Sequence, residues 1–289
     1  MLLCLISIPI ALAAGETTDC NNTGSGYQRV VSIGGSITEI IYTLGCGDKV
    51  IAADISSLYP ESVLQENPSV GYMRTLSAEP ILSVNPDLII ADADSQPQTV
   101  FTQLQNAGVT VASIPDERSI TGIYKKIRLI ADTLGVSLQG EKLIRDIETS
   151  YQPVARQVES FRDSPRTIFL LTTGKGSSPI AAGRDTAADN IIRLAGGNNV
   201  FDSFSGYKPV SAESIINVHP DFIVMPERVI AELGGLEKFV NQPEIKATPA
   251  GKNKNILIVD DLSLLGFGPR TPVAISDLAT KIHSKSFSQ

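Results

Sequence analysis

The sequence predicts an α/β protein of two lobes with a ligand cleft between them. Three observations carry that expectation: short β-branched runs alternate with helical stretches, the second half of the chain repeats the first, and one long helical stretch separates the copies. The 289 residues are 42% hydrophobic and 19% charged, enough for two medium lobes.

Arg29-Val-Val-Ser-Ile33 is the first β-branched run, followed by Gly34-Gly35 and then Ser36-Ile-Thr-Glu39, which has the spacing of a capping box opening a helix through Leu44. Val50–Ala53, Leu88–Ala91 and Val109–Ile114 are further strands, with a helix at Gln98–Gln105. From Ser119 the period becomes helical, with Ile123, Ile127 and Ile130 on one face and a stop at Gly135. A second helix from about Ser137 to Phe161 extends roughly 35 Å at ~1.5 Å per residue, with Pro153 expected to kink it. Strand–helix alternation resumes at Thr167–Leu171.

The repeat is explicit. "RTLSAEPILSVNPDLIIADAD" (74–94) aligns with "KPVSAESIINVHPDFIVMPER" (208–228) at a constant offset of 134, and "SITEIIYTLGCGDKV" (36–50) resembles "TAADNIIRLAGGNNV" (186–200) at an offset of 150. The expected organisation is a signal peptide at 1–14, an N-terminal segment at 15–28, an α/β lobe at 29–136, a connecting helix at 137–163 and a second α/β lobe at 164–289. Each lobe is expected to be Rossmann-like, with a parallel sheet wrapped by helices.

A net charge of −7 argues against nucleic-acid binding, which needs a basic face. Residues 2–14, "LLCLISIPIALAA", are too short to span a bilayer but suit the apolar core of a secretory signal, ending in the small-x-small pattern Ala11-Leu-Ala13. No Lys or Arg precedes Arg29, so the basic start of such a signal is missing, and a buried N-terminal element is the competing reading. Cys4 follows bulky Leu3, so lipid attachment is not expected there. After cleavage Cys20 and Cys46 remain, an even pair in an oxidising compartment, and a disulfide between them is expected to contribute roughly 3 kcal/mol. Two free thiols are the alternative.

No nucleophile elbow, Walker loop, dinucleotide fingerprint or zinc-protease motif occurs, so no enzymatic activity is expected. The two histidines, His219 and His283, match no metal spacing. A metal-ion receptor or enzyme built on Asp92, Asp94 and His219 is a remote alternative. Glu79 and Glu213 each follow Ser-Ala at a helix start. Favourable interaction with the helix dipole alone explains them, yet two equivalent carboxylates also suit docking onto a two-fold symmetric partner with basic residues. Ahead of them stand Tyr72 in "GYMRTLSAE" and Tyr207 in "GYKPVSAE", in loops at the crevice end of an α/β lobe. Tyrosinate is a hard oxygen ligand for Fe(III), as in catalase-type haem, and a neighbouring arginine favours the phenolate. A packed loop aromatic is the other reading of Tyr72.

The stretches "RVVSIGGSITEIIYTLG", "VGYMRTLSAEPILSVNPDLII", "SSPIAAGRDTAADNIIRLAGGNNVF", "YKPVSAESIINVHPDFIVM" and "FGPRTP", from about Arg29 to Ile282, resemble the periplasmic haem-binding proteins of bacterial ABC importers. These belong to the helical-backbone (class III) substrate-binding proteins, which also include cobalamin and siderophore binders. The resemblance implies a monomeric periplasmic protein that carries haem b, Fe(III) protoporphyrin IX, to an ABC permease dimer in the inner membrane. It implies Tyr72 as iron ligand, with Arg74 pairing with a propionate or stabilising the phenolate. Lys175, Arg228 and Tyr207 are the remaining propionate or supporting candidates, and Glu79 and Glu213 the permease-docking pair. Some relatives carry a histidine in the loop matching "TTGKGSSPIAAG" and hold a second haem; this loop has none, which implies one haem. A siderophore or cobalamin ligand is the alternative within the same architecture.

Overall fold

The computed structural model describes Cys20 and residues 26–172 and 178–283; the expected signal segment lies outside them. The N-terminal lobe runs β1 (Val30–Ile33), α1 (Gly35–Thr43), β2 (Val50–Ala53), α2 (Val63–Glu66), α3 (Ala78–Ser83), β3 (Leu88–Asp92), α4 (Gln98–Asn106), β4 (Thr110–Ile114) and α5 (Ile120–Leu134). Its four strands are all parallel, in the order β2-β1-β3-β4. Every residue of β1 and β3 is buried, because helices cover both faces of a parallel sheet.

The α5 helix is bounded as its sequence dictates. The Ser119 hydroxyl accepts from the Gly122 N–H at 2.9 Å, and Gly135 takes the left-handed conformation (φ 73°) that closes the helix. The connecting helix α6 (Ser137–Ser160) follows at once, with Pro153 inside it.

The C-terminal lobe contains β5 (Arg166–Leu171), β6 (Ile180–Ala182), α7 (Ala187–Leu194), β7 (Asn198–Asn199), β8 (Tyr207–Pro209), α8 (Ala212–Asn217) and β9 (Phe222–Pro226). Short helices α9 (Glu227–Glu232), α10 (Leu236–Val240), α11 (Pro243–Ala247) and α12 (Pro249–Lys252) lead to β10 (Ile256–Val259), α13 (Asp261–Leu265) and α14 (Thr271–Ile282). The expected wholly parallel sheet is corrected here. In the order β10-β9-β5-β6-β8, the first three strands are parallel, but β6 pairs antiparallel with both β5 and β8. The link 172–179 is shorter than the dozen or so residues that a parallel crossover needs, so the chain can only fold back.

The capping box expected at Ser36 is also absent. The α1 helix starts two residues earlier, capped by Gly34 in a left-handed conformation (φ 117°) with no side-chain cap. A Cβ on Gly35 would collide with the Ser56 carbonyl oxygen and with Leu262 of the other lobe, so glycine is required where the lobes meet. Ser36 and Glu39 turn inward to long-range partners instead.

The repeat is realised as structure. α3–β3 and α8–β9 occupy corresponding positions, and both helices end before a left-handed polar residue, Asn85 (φ 48°) and His219 (φ 42°). Arg29 donates to the carbonyls of Val84 and Asn85, and Arg166 does the same to Val218 and His219. Asp87 and Asp221 accept from the main-chain N–H of those same arginines. Each copy therefore satisfies its orphan helix carbonyls with an arginine at the start of the strand that pairs with the one after the helix, Arg29 just before β1 and Arg166 opening β5.

One apolar core runs through both lobes. Ile37, Ile41, Ile127 and Ile130 from the first lobe join Ile191, Ile275 and Leu278 from the second. Fully burying such a side chain contributes about 1.5–3 kcal/mol, so this shared core ties the lobes together. Separate clusters fill the far side of each sheet. The expected disulfide joins Cys20 to Cys46, both buried.

Candidate functional site

The cleft between the lobes has a volume of about 640 Å³ and is lined by residues of both, including four predicted from the sequence: Tyr72, Arg74, Tyr207 and Arg228. A larger hollow of about 940 Å³ lies beside α1 and α6, lined by polar residues such as Asp48, Glu66, Lys142 and Asp146. Neither repeated tyrosine loop reaches that hollow; both reach the cleft, which is therefore the candidate site.

Tyr72 sits in a loop held from two sides. The Ile55 N–H donates to the Gly71 carbonyl at 2.9 Å, and the Gln96 N–H to the Met73 carbonyl at 2.7 Å. Asp54, fully buried, organises the turn: its carboxylate accepts from the main-chain N–H groups of Gly34 (2.9 Å), Ser56 (3.2 Å) and Met73 (3.3 Å), and from the Ser56 and Ser57 hydroxyls. Gly71 adopts φ 97°, which turns the chain outward just before the tyrosine. Tyr72 itself is 43% exposed, and neither its hydroxyl nor the Arg74 guanidinium has a polar side-chain or main-chain partner among the described residues. Exposed Ile55 and Leu58 flank the loop, and Leu171, Leu262 and Leu265 face the cleft from the other lobe.

The opposite wall is built differently. Tyr207 opens β8 and pairs in register with Ala182 of β6. It is also 43% exposed, but its phenol sits at the start of α7. Burial there raises its pKa, partly opposed by hydrogen bonds from the Ala188 N–H and Thr186 and by the charge of Arg118. Arg228 is engaged as well, with Asp261 at 2.7 Å and Glu232 at 3.9 Å. Lys208, the counterpart of Arg74 in the repeat, has its ammonium 5.5 Å from the centre of the Phe204 ring.

Two cations, Lys126 fully buried and Arg270 partly exposed, knit the lobes beneath these walls. Lys126, 1% exposed, donates to Asp116 (3.0 Å), to the Ser36 hydroxyl (3.1 Å) and, across the seam, to the Gly266 carbonyl (3.5 Å). Burial alone would raise the Asp116 carboxyl, but Lys126 and Arg118 together outweigh it and hold the group below the ordinary carboxylate range. Arg270 grips Glu39 of α1 through its main-chain N–H (3.0 Å) and its guanidinium (3.1 Å), pairs with Asp260 at 2.9 Å, and lies 3.8 Å over the Tyr59 ring. Sequence reasoning missed both networks. A signal existed for the first: Lys126 falls three residues after Ile123 and four before Ile130, inside the apolar stripe.

Glu79 and Glu213 lie exposed in the first turns of α3 and α8, with no ion-pair partner among the described residues. Lys175 lies outside the described residues. The alternative site of Asp92, Asp94 and His219 is not assembled. Asp92 closes β3 at the cleft, whereas His219 follows α8 ahead of β9 in the other lobe and bonds to the Asn217 carbonyl at 2.8 Å. Among the described residues no group of three or more His, Cys, Asp or Glu side chains could hold a metal ion.

Residues 30–262 match the family model described as periplasmic binding protein. Among solved structures, the chain is 37% identical to the periplasmic heme-binding protein RhuT from Roseiflexus sp. RS-1 in its apo form, with a TM-score of 0.84 over 90% of this chain and 99% of that one. It is 33% identical to the periplasmic heme-binding protein BhuT in complex with two hemes, with a TM-score of 0.83 over 89% and 98%. Among curated proteins it is 27% identical to the vitamin B12-binding protein of Vibrio vulnificus (strain CMCP6), over 87% of this chain and 88% of that protein. All of these are binding proteins rather than enzymes.

Proposed function

The chain belongs to the periplasmic binding protein family of ABC transporters, and from that premise we propose that it captures haem b, as Fe(III) protoporphyrin IX, in the periplasm and delivers it to an ABC permease. The observation that carries this reading is the Tyr72–Arg74 pair on a braced loop, its side chains without polar partners among the described residues and facing aliphatic side chains across the cleft. A tyrosinate suits Fe(III), the Arg74 guanidinium can meet a propionate, and Ile55, Leu58, Leu262 and Leu265 suit the apolar faces of a macrocycle. Arg228 and Tyr207 support the ligand from the second wall. Both heme-binding structures are more similar in sequence to this chain than the vitamin B12-binding relative is.

Glu79 and Glu213 dock the permease, one from each lobe, since both are exposed, equivalent and without ion-pair partners among the described residues. The shared core and the Lys126 and Arg270 networks at the seam limit hinge closure, so release depends on the permease drawing the lobes apart.

A cobalamin is the second reading, supported by the B12-binding relative. Absorption titrations of the purified protein with hemin and with cyanocobalamin separate the two. A stoichiometric Soret shift with hemin and no binding of cyanocobalamin is expected; the reverse outcome overturns the haem reading.

A further inference from the structure

Arg118, in the connection between β4 and α5, lines the same cleft as Tyr72 and Arg74 and is held by both lobes. Its Nε donates to Asp116 at 3.1 Å, and its Nη1 to the Asp185 carbonyl of the C-terminal lobe at 3.3 Å. Its own carbonyl accepts from the Asn190 side chain at 3.1 Å, a second tie across the seam. The guanidinium is thus fixed in orientation before any ligand arrives, which lowers the entropy lost on binding.

Its nearest carboxylate is shared. Asp116 serves Lys126 at 3.0 Å as well as Arg118, so one carboxylate faces two cations. The other acidic neighbour, Asp94, is 3.7 Å away with its side chain 56% exposed, and a contact of that kind contributes little. Two hydrogen bonds leave the guanidinium with N–H groups to spare, and its side chain remains 32% exposed. Arg228, by contrast, is paired with Asp261 at 2.7 Å.

We infer that Arg118 receives a carboxylate of the cleft ligand, which takes the place of Asp94 on the guanidinium while Asp116 and the Asp185 carbonyl keep the fork aimed. The inference rests on the haem reading, whose ligand carries two propionates. It gives the cleft a carboxylate receptor at the lobe seam, separate from the Tyr72 loop. Asp94 then acts as a weak competitor that fills the position when the cleft is free.

The test is a set of Soret titrations of wild type, Arg118→Ala and Asp94→Ala with hemin and with hemin dimethyl ester, whose carboxylates are masked, in one mild detergent. Arg118→Ala is expected to weaken hemin about tenfold, as loss of a charge-assisted hydrogen bond does, and Asp94→Ala to tighten it about threefold. Neither variant is expected to alter binding of the ester or the shape of the bound spectrum. Equal weakening of hemin and ester by Arg118→Ala, or no weakening of either, overturns the role. Should Arg118→Ala fail to fold, Asp94→Ala decides alone, and unchanged or weaker hemin binding overturns the inference. A wild type that binds neither compound defeats the haem reading itself, whereas one that binds both equally defeats only the assignment of Arg118.

Discussion

On the N-terminal wall of the cleft the segment before α3 stays a loop, and Tyr72 and Arg74 have no polar side-chain or main-chain partners among the described residues; on the C-terminal wall the corresponding segment becomes β8, and Tyr207, Lys208 and Arg228 are all engaged. Both walls come from one repeated unit, down to the left-handed residue that ends each SAE helix. The difference arises because the C-terminal copy can pair with β6, whose short return after β5 creates an antiparallel edge that the first lobe lacks. A strand rigidifies a wall through its ladder but fixes its side chains to their own lobe. A loop needs separate bracing, here from Asp54, and in return leaves its tyrosine and arginine available.

The largest expected effect follows from that bracing. Asp54→Ala removes the acceptor for Gly34, Ser56, Ser57 and Met73 at once, and loss of such a buried network costs about 3 kcal/mol, read as a lower denaturant midpoint, together with weaker hemin binding. Tyr207→Phe, on the ladder-braced wall, is expected to cost about 1 kcal/mol or less. Equal losses for the two variants would break the contrast between the walls.

The arginines sharpen the same contrast. Arg74→Ala is expected to leave stability unchanged to within about 0.5 kcal/mol while weakening hemin about tenfold. Arg228→Ala unpairs Asp261 and is expected to change hemin affinity by about threefold at most. Titrations and melts of both variants check this, and the opposite ranking would move the dominant cation to the C-terminal wall.

A smaller effect separates the lobes by pH. His283, at the end of α14, is buried and stacked on Phe161 with ring centroids 3.8 Å apart, and burial lowers its pKa from the ordinary 6.5. The unfolded chain then binds the proton more readily than the folded one, so this stabilisation is complete above pH 6.5 and declines as pH falls toward the lowered value. Asp116, at the seam of the first lobe, is held below its ordinary 3.8, so its contribution persists until pH falls beneath that value. Melting temperatures should therefore begin to fall below pH 6.5 in the wild type, and His283→Gln should flatten that part of the profile.

Much of this architecture was legible locally. Ser119 and Gly135 delimit α5 because a side-chain cap and a left-handed glycine act within a few residues, and the offset of 134 located α3–β3 and α8–β9 together. The tyrosine–arginine loop was legible because the repeat set it beside Glu79. The antiparallel strands were not, since β6 and β8 are three residues each and β8 is exposed throughout, leaving no alternation to read. Nor was the pairing of Glu39 with Arg270, 231 residues apart, where a local capping pattern pointed to the wrong partner. Arg118 was invisible for the same reason: its role depends on Asp185 and Asn190, which only folding brings near.

The central claim is that the N-terminal wall, through Tyr72, supplies the iron ligand. A hemin titration of wild type beside Tyr72→Phe and Tyr207→Phe, followed by absorption spectroscopy, tests it most directly. The expected result is a high-spin ferric tyrosinate spectrum in wild type and Tyr207→Phe that disappears in Tyr72→Phe. The same spectrum surviving in Tyr72→Phe, or vanishing only in Tyr207→Phe, would contradict it.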